Sequence, residues 1–327
     1  MRQLTLTIAA VLLASLPAAA QDTKPAPKPA AGVKKYAVPR TPDGQPDLQG
    51  VWSNATITPL ERPADLAGKA FLTEQEAADY TKQVLQRTNM DRRDGSAEAD
   101  VGRAYNNFWW DRGTKLVGTR RTSLVIDPPD GKIPALTPAA QKIQADRVAY
   151  RRLHPADAPE DRGLSERCLV WATAGPPMLP SAYNNNYQIT QTPGLAVIFN
   201  EMVHDARVIP MDGRAHLPST VRQWFGDSRG HWEGDTLVVD TTNFTDKTRF
   251  RGSGQYMHLT ERFTRIAADT LLYQFTVDDP ESFTRSWSVE IPSVKSDGPI
   301  YEYACHEGNY GMEGILAGGR ADDKKAK

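Results

Sequence analysis

A mainly β fold, an antiparallel meander forming a barrel or sandwich with two peripheral helices, is predicted by three observations. From Tyr187 onward, apolar runs rich in β-branched and aromatic residues recur with turn residues roughly every 8 to 14 positions, the spacing of hairpin-connected strands. Within several runs apolar and polar residues alternate, as they do when one face of a strand is buried. Only two segments carry clear helix-start signatures, and both helices are mostly polar and therefore peripheral.

Taken in order, residues 1–20 read as a secretory signal peptide. Arg2 precedes an apolar run over 4–16, followed by Pro17 and Ala18-Ala19-Ala20, the charged, apolar and small-residue parts of a cleavable leader. The run falls short of the ~20 residues that span a bilayer. Gln21, rather than a lipid-accepting Cys, follows the cleavage site near Ala20, so a periplasmic or secreted product without membrane insertion is expected. Residues 21–40, rich in Pro, Ala and Lys, read as a flexible linker. A single β-rich globular domain with N-terminal helical embellishments is expected over 41–319, and 320–327 read as a polar tail.

Within the domain, the Pro42-Asp43-Gly44 turn leads into a strand over 48–52. Thr73-Glu74-Gln75-Glu76 is a capping box and predicts a helix to about Met90. A short strand over 124–126 ends at the turn Pro128-Pro129-Asp130-Gly131. Thr137 with Pro138 at the first helical position predicts a second helix to about Leu153. The meander follows as strands over 195–199, 206–210, 236–242, 259–266, 270–277, 286–291 and 300–304, with Met211-Asp212-Gly213 as one turn. Gly230-His231-Trp232 sits at a further strand start and repeats the Gly-x-Trp pattern of Gly50-Val51-Trp52.

Lys and Arg number 39 against 40 Asp and Glu, for a net charge of −1. No strong field favours nucleic acid or an anionic membrane, and neither partner is expected. The two cysteines, Cys168 and Cys305, most simply form one disulfide in an oxidising compartment. Two buried thiols, or a reactive Cys305 beside His306, are the alternatives.

With TPDGQPDLQGVWSN at 41–54, RTSLVIDPPDG at 121–131, GPPMLPSAYNNNYQI at 175–189 and GHWEGDTLVVDTTNF at 230–244, the chain resembles a large family of exported, uncharacterised bacterial proteins over nearly all of its mature length. The resemblance implies export and brings no assigned activity, cofactor or catalytic residue. Gly50-Val51-Trp52 opening a β meander is also similar to the start of the lipocalin-like barrels.

The residues best suited to chemistry cluster at predicted strand ends, where loops collect functional groups. His204, with Asp205 and Arg207, follows the strand over 195–199. His231 lies beside Arg229 and would share a strand face with Glu233, so a carboxylate could raise its basicity and fix its tautomer. These five, His204, His231, Asp205, Arg207 and Arg229, are the candidate catalytic set; hydrogen bonds and a Glu233-Gly234-Asp235 hairpin turn are the structural alternatives. No cofactor is expected. A divalent metal on His204, His216 or His231 with an Asp would need three protein ligands, and no His-x-x-x-His or His-Glu-x-x-His spacing supports one. Ser253, within Gly252-Ser253-Gly254, lacks the Gly-x-Ser-x-Gly context of a nucleophile elbow.

For ligand binding, Trp109 and Trp110 stand among polar residues and suit either core or a pocket wall for a flat or sugar-like compound. Asn185, Tyr187, Trp232 and Asn243 mix amides with aromatics, although Asn also populates left-handed turns. Glu302 and His306 would share one face of the last predicted strand. Together these residues point to a cofactor-independent lyase or hydrolase acting on a small aromatic or sugar-like compound. A non-catalytic periplasmic binder of such a ligand and a structural envelope protein are the alternatives.

Overall fold

Ten strands form one antiparallel sheet in the computed structural model, which describes residues 36–102 and 106–326. The expected signal peptide and most of the expected linker lie outside the described residues. Chain order gives β1 (Gly50–Ser53), α1 (Glu74–Thr88), α2 (Ala97–Gly102), β2 (Val125–Asp127), α3 (Pro138–Leu153), β3 (Asn186–Thr192), β4 (Leu195–Asn200) and β5 (Asp205–Pro210). It continues with β6 (Asp227–Glu233), β7 (Thr236–Thr242), β8 (His258–Ala267), β9 (Thr270–Asp278), β10 (Trp287–Lys295) and α4 (Tyr310–Ala326).

The strands pair in the order β5-β4-β3-β1-β10-β9-β8-β7-β6, with β2 alongside β10. The sheet curls into a nearly closed barrel. At the remaining gap β5 and β6 meet through side chains: a Cβ on Gly230 would lie 2.9 Å from Ile209 Cγ2 and 3.0 Å from Met211 Cγ. Only glycine admits that approach, which is the physical reason for the glycine of the second Gly-x-Trp.

Period-two alternation fills the interior. Leu259, Glu261 and Phe263 of β8, Leu271, Tyr273, Phe275 and Val277 of β9, and Trp287, Val289, Ile291 and Ser293 of β10 are all buried. Phe263 stacks on Tyr273 at 4.8 Å, and Trp287 meets Phe250, Phe275 and Phe283 within 6.0 Å. Trp52 is fully buried, donates from Nε1 to Leu48 O at 2.9 Å, and carries the Arg265 guanidinium 5.6 Å above its ring. Such a barrel is compatible with the lipocalin-like resemblance.

α1 carries the expected capping box, with Thr73 Oγ1 accepting from Glu76 N and Glu76 Oε2 from Thr73 N. α3 begins at Pro138 with Thr137 as its cap. Four findings depart from expectation. β3 and the short α2 are additional elements. Residues 300–304 form no strand, because β10 already has β9 on one side and β1 and β2 on the other. The expected polar tail is the end of α4, which packs close enough to bring a Cβ on Gly319 to 3.0 Å from Ala156. Arg40, within the expected linker, bridges Pro46 and pairs with Asp235 at 2.6 Å.

The disulfide Cys168–Cys305 is formed, with Cα atoms 5.6 Å apart. Among the described residues no helix is long and apolar enough to cross a membrane.

Candidate functional site

The sequence-predicted residues occupy several separate places. Arg207 points into the barrel and forms a bidentate pair with Glu261, at 2.5 and 3.2 Å. Glu261 also accepts from Tyr273 Oη at 2.7 Å, and that hydroxyl accepts from Met178 N at 3.1 Å. Burial, and then the Glu261 carboxylate, push the Tyr273 phenol well above its ordinary value. Tyr187 is likewise interior, donates to Ser293 Oγ at 2.8 Å, and is pushed up by burial. Both are hydrogen-bonded polar networks inside a packed barrel, with Arg207 Nε the one buried donor of the pair without a partner.

His204 is exposed at a left-handed position (φ 60°) with its ring 4.9 Å from Phe199. Burial raises the carboxyl of neighbouring Asp205, against the pull of Arg207 and the Ala206 N–H. His231 lies on the outer face of β6, 3.3 Å from Glu233, which also accepts from Arg262 at 2.8 Å. Arg229 pairs with Asp227 on the same face at 2.7 Å.

That face holds an arrangement absent from the candidate set. The His216 ring lies between two carboxylates, Nδ1 at 3.0 Å from Asp227 and Nε2 at 2.7 Å from Asp240. Asp240 Oδ2 also bonds His258 Nε2. The alternation of β7 and β8 places Asp240 and His258 outward, and Leu217 N holds Asp227 at 2.9 Å. Among the described residues no group of His, Cys, Asp and Glu has the arrangement of a metal site.

The ligand-binding candidates are also dispersed. Trp109 is exposed, whereas Trp110 packs against Tyr183 at 5.9 Å and under the Arg112 guanidinium at 4.0 Å. Asn185 ties its own loop, accepting from Ser181 N at 2.8 Å and donating to Asp111 O. Asn243 takes the left-handed conformation (φ 57°) and donates to Leu217 O at 2.8 Å. Trp232 packs against the core. Glu302 and His306 are exposed on the irregular segment before α4.

A cavity of about 810 Å³ lies elsewhere. One face of α3 forms a wall with Ala140, Gln144, Arg147, Val148 and Arg151, spaced so that successive turns present them together. Segment 160–179 supplies Arg162, Arg167 and Trp171, and segment 244–257 supplies Lys247, Arg249, Phe250 and Arg251. Trp224 and Phe225 complete the aromatic part. Seven cationic side chains, those of Arg147, Arg151, Arg162, Arg167, Lys247, Arg249 and Arg251, face two carboxylates, Glu160 and Asp246. Burial lowers Arg249 from its ordinary value, and the neighbouring Arg147 cation adds to that. The volume falls in the range of small-molecule sites, roughly 300–1,000 Å³.

These residues carried a legible signal that points equally to a solvated helix face. Arg147, Arg151 and Arg152 recur at helical spacing, and Arg249 and Arg251 flank Phe250. Their convergence depends on how α3 and the 244–257 segment pack against the barrel, which no local pattern encodes. Compared with protein families, curated proteins and solved structures, the chain matches none.

Proposed function

We propose that this protein is exported and binds a small anion with an aromatic or apolar body in the cleft between α3 and segments 160–179 and 244–257. The observation carrying this reading is the sevenfold cationic lining against two carboxylates in a chain of net charge −1. Clustered arginines favour carboxylate, sulfonate or phosphate groups through charge-assisted hydrogen bonds, while Trp171, Trp224 and Phe250 offer apolar surface. Among the described residues no histidine lines the cleft, so binding fits it better than acid–base turnover. The disulfide and the N-terminal signal pattern support export, and membership of the exported bacterial family belongs to the same proposal.

A second reading, a cofactor-independent lyase or hydrolase, is favoured by Asp240 bridging His216 and His258 on the outer face. One experiment addresses both. Mature protein is titrated with 2-naphthoate and its neutral counterpart 2-naphthamide by calorimetry, and the mixtures are then analysed by mass spectrometry. Binding of the naphthoate at least tenfold tighter than the amide, lost in Arg147→Gln/Arg249→Gln, supports the cleft reading. Equal affinity for both, or none for either, overturns it. Product formation abolished by His258→Ala would favour the enzyme.

A further inference from the structure

A second cavity, of about 280 Å³, adjoins the cleft and shares two wall residues with it, Leu179 and Arg251. Its own lining adds Arg112 and the hydroxyl residues Thr56, Thr58 and Ser181. Arg251 therefore stands at the junction of both spaces. Among the described residues its guanidinium has no hydrogen-bond or ion-pair partner. Arg112 is held by stacking on Trp110, and its Nη2 is buried without a partner. Burial lowers Arg112 as it does Arg249.

The backbone at Arg251 is unusual. Phe250 and Ser253 exchange two backbone hydrogen bonds, at 3.0 and 2.9 Å, around a turn whose two central residues both have positive φ, Arg251 at 56° and Gly252 at 112°. Turns of that kind take Asn, Asp or Gly at both centres, and an Arg there is strained. The neighbours over-determine the conformation. Phe250 stacks on Trp287 at 5.9 Å, Ser253 bonds Asp279, and Gly252 O accepts from Arg249 Nη1 at 3.2 Å and Ser282 Oγ at 3.3 Å. Phe250, Gly252 and Ser253 are fastened into the fold, while the Arg251 side chain lines both cavities. Strain kept at one residue by a rigid surround is characteristic of positions that serve a ligand.

We infer that the two cavities form one site of two compartments, in which Arg251 and Arg112 seat a compact anionic head group in the smaller compartment while the apolar body passes Leu179 into the cleft. The inference rests on the cleft reading and refines it. Arg251→Gly removes the seat and the strain together, so stability and affinity move in opposite directions.

The test uses the mature protein, 2-naphthoate and calorimetry beside thermal melting. Arg251→Gly is expected to weaken binding about tenfold or more while raising the melting temperature by ~2 °C. Arg112→Gln is expected to weaken binding comparably. Arg152→Gln, an equal change of charge at an exposed position of α3 outside both cavities, is expected to alter affinity less than about threefold. Wild-type protein that fails to bind overturns the cleft reading and this inference with it. Binding by Arg251→Gly within twofold of wild type, or equal losses in Arg251→Gly and Arg152→Gln, overturns this inference alone.

Discussion

Arg207 shows how far the same residue can sit from the role its neighbours suggest. In sequence it follows His204 and Asp205, a setting that reads as catalytic. On β5, however, Arg207 and Ile209 share the inward face, so the guanidinium enters the barrel and meets Glu261. Both charges are nearly inaccessible, at 6% and 0% side-chain exposure, and a buried pair holds its value only while both members are present. Glu261→Leu alone should therefore cost ~3–5 kcal/mol, whereas Arg207→Met combined with Glu261→Leu should recover most of the loss. Urea unfolding of the two variants checks this, and a single variant as stable as the double would refute it. Tyr273 extends the consequence, because its hydroxyl also holds Met178 N in the segment that forms one edge of the cleft.

Elements defined by local chemistry were legible, and those defined by partners were not. α1 and α3 follow from a capping box and a Thr-Pro start, signals that act within four residues. β7 and β9 follow from strong apolar runs. β3 escaped because Asn186, Gln188, Thr190 and Gln191 dilute its two buried residues, Tyr187 and Ile189. α4 escaped because Gly311, Gly314, Gly318 and Gly319 mask its apolar positions. Residues 300–304 alternate as a strand would, but the edge they needed is occupied. The α1 cap also carries a pH signature. Bonding to the Lys69 ammonium, then to the Thr73 N–H, holds the Glu76 carboxyl at about 2 instead of 4.5. A depressed carboxyl stabilises the folded state above its ordinary value and loses that contribution as pH falls toward the folded one. Glu76→Gln should lower the melting temperature at neutral pH, and the deficit should shrink between pH 4.5 and about 2. A deficit that persists unchanged at pH 2 would show that the carboxylate charge contributes nothing.

At the scale of the whole molecule, the disulfide joins parts that the barrel ladders leave unconnected. Cys168 lies within the wall segment that supplies Arg167 and Trp171, and Cys305 precedes α4. Asn309 reinforces the link by donating to Glu166 O at 3.0 Å. The bond closes a loop with a sequence separation of 137, for which chain entropy gives about 4–5 kcal/mol. Reduction, or Cys168→Ala with Cys305→Ala, should lower stability by up to that amount and weaken 2-naphthoate binding as the cleft wall loosens. Calorimetry with and without reductant measures both. Unchanged affinity in the reduced protein would detach the wall from the bond. How the sheet closes was not readable in the sequence, because both barrel and sandwich satisfy the same alternation.

The way the barrel closes has a topological consequence. Its first and last strands, β1 and β10, are joined by a ladder, while β5 and β6, consecutive in the chain, are not. The sheet is thus a strip whose two free margins are tethered by the connection over 211–226, and His216 fastens that connection to the outer face of β6 and β7. Cutting the chain within this connection would separate no hydrogen-bonded strands. The molecule is a belt whose buckle lies at mid-chain, closed there by packing at Gly230 instead of by a ladder.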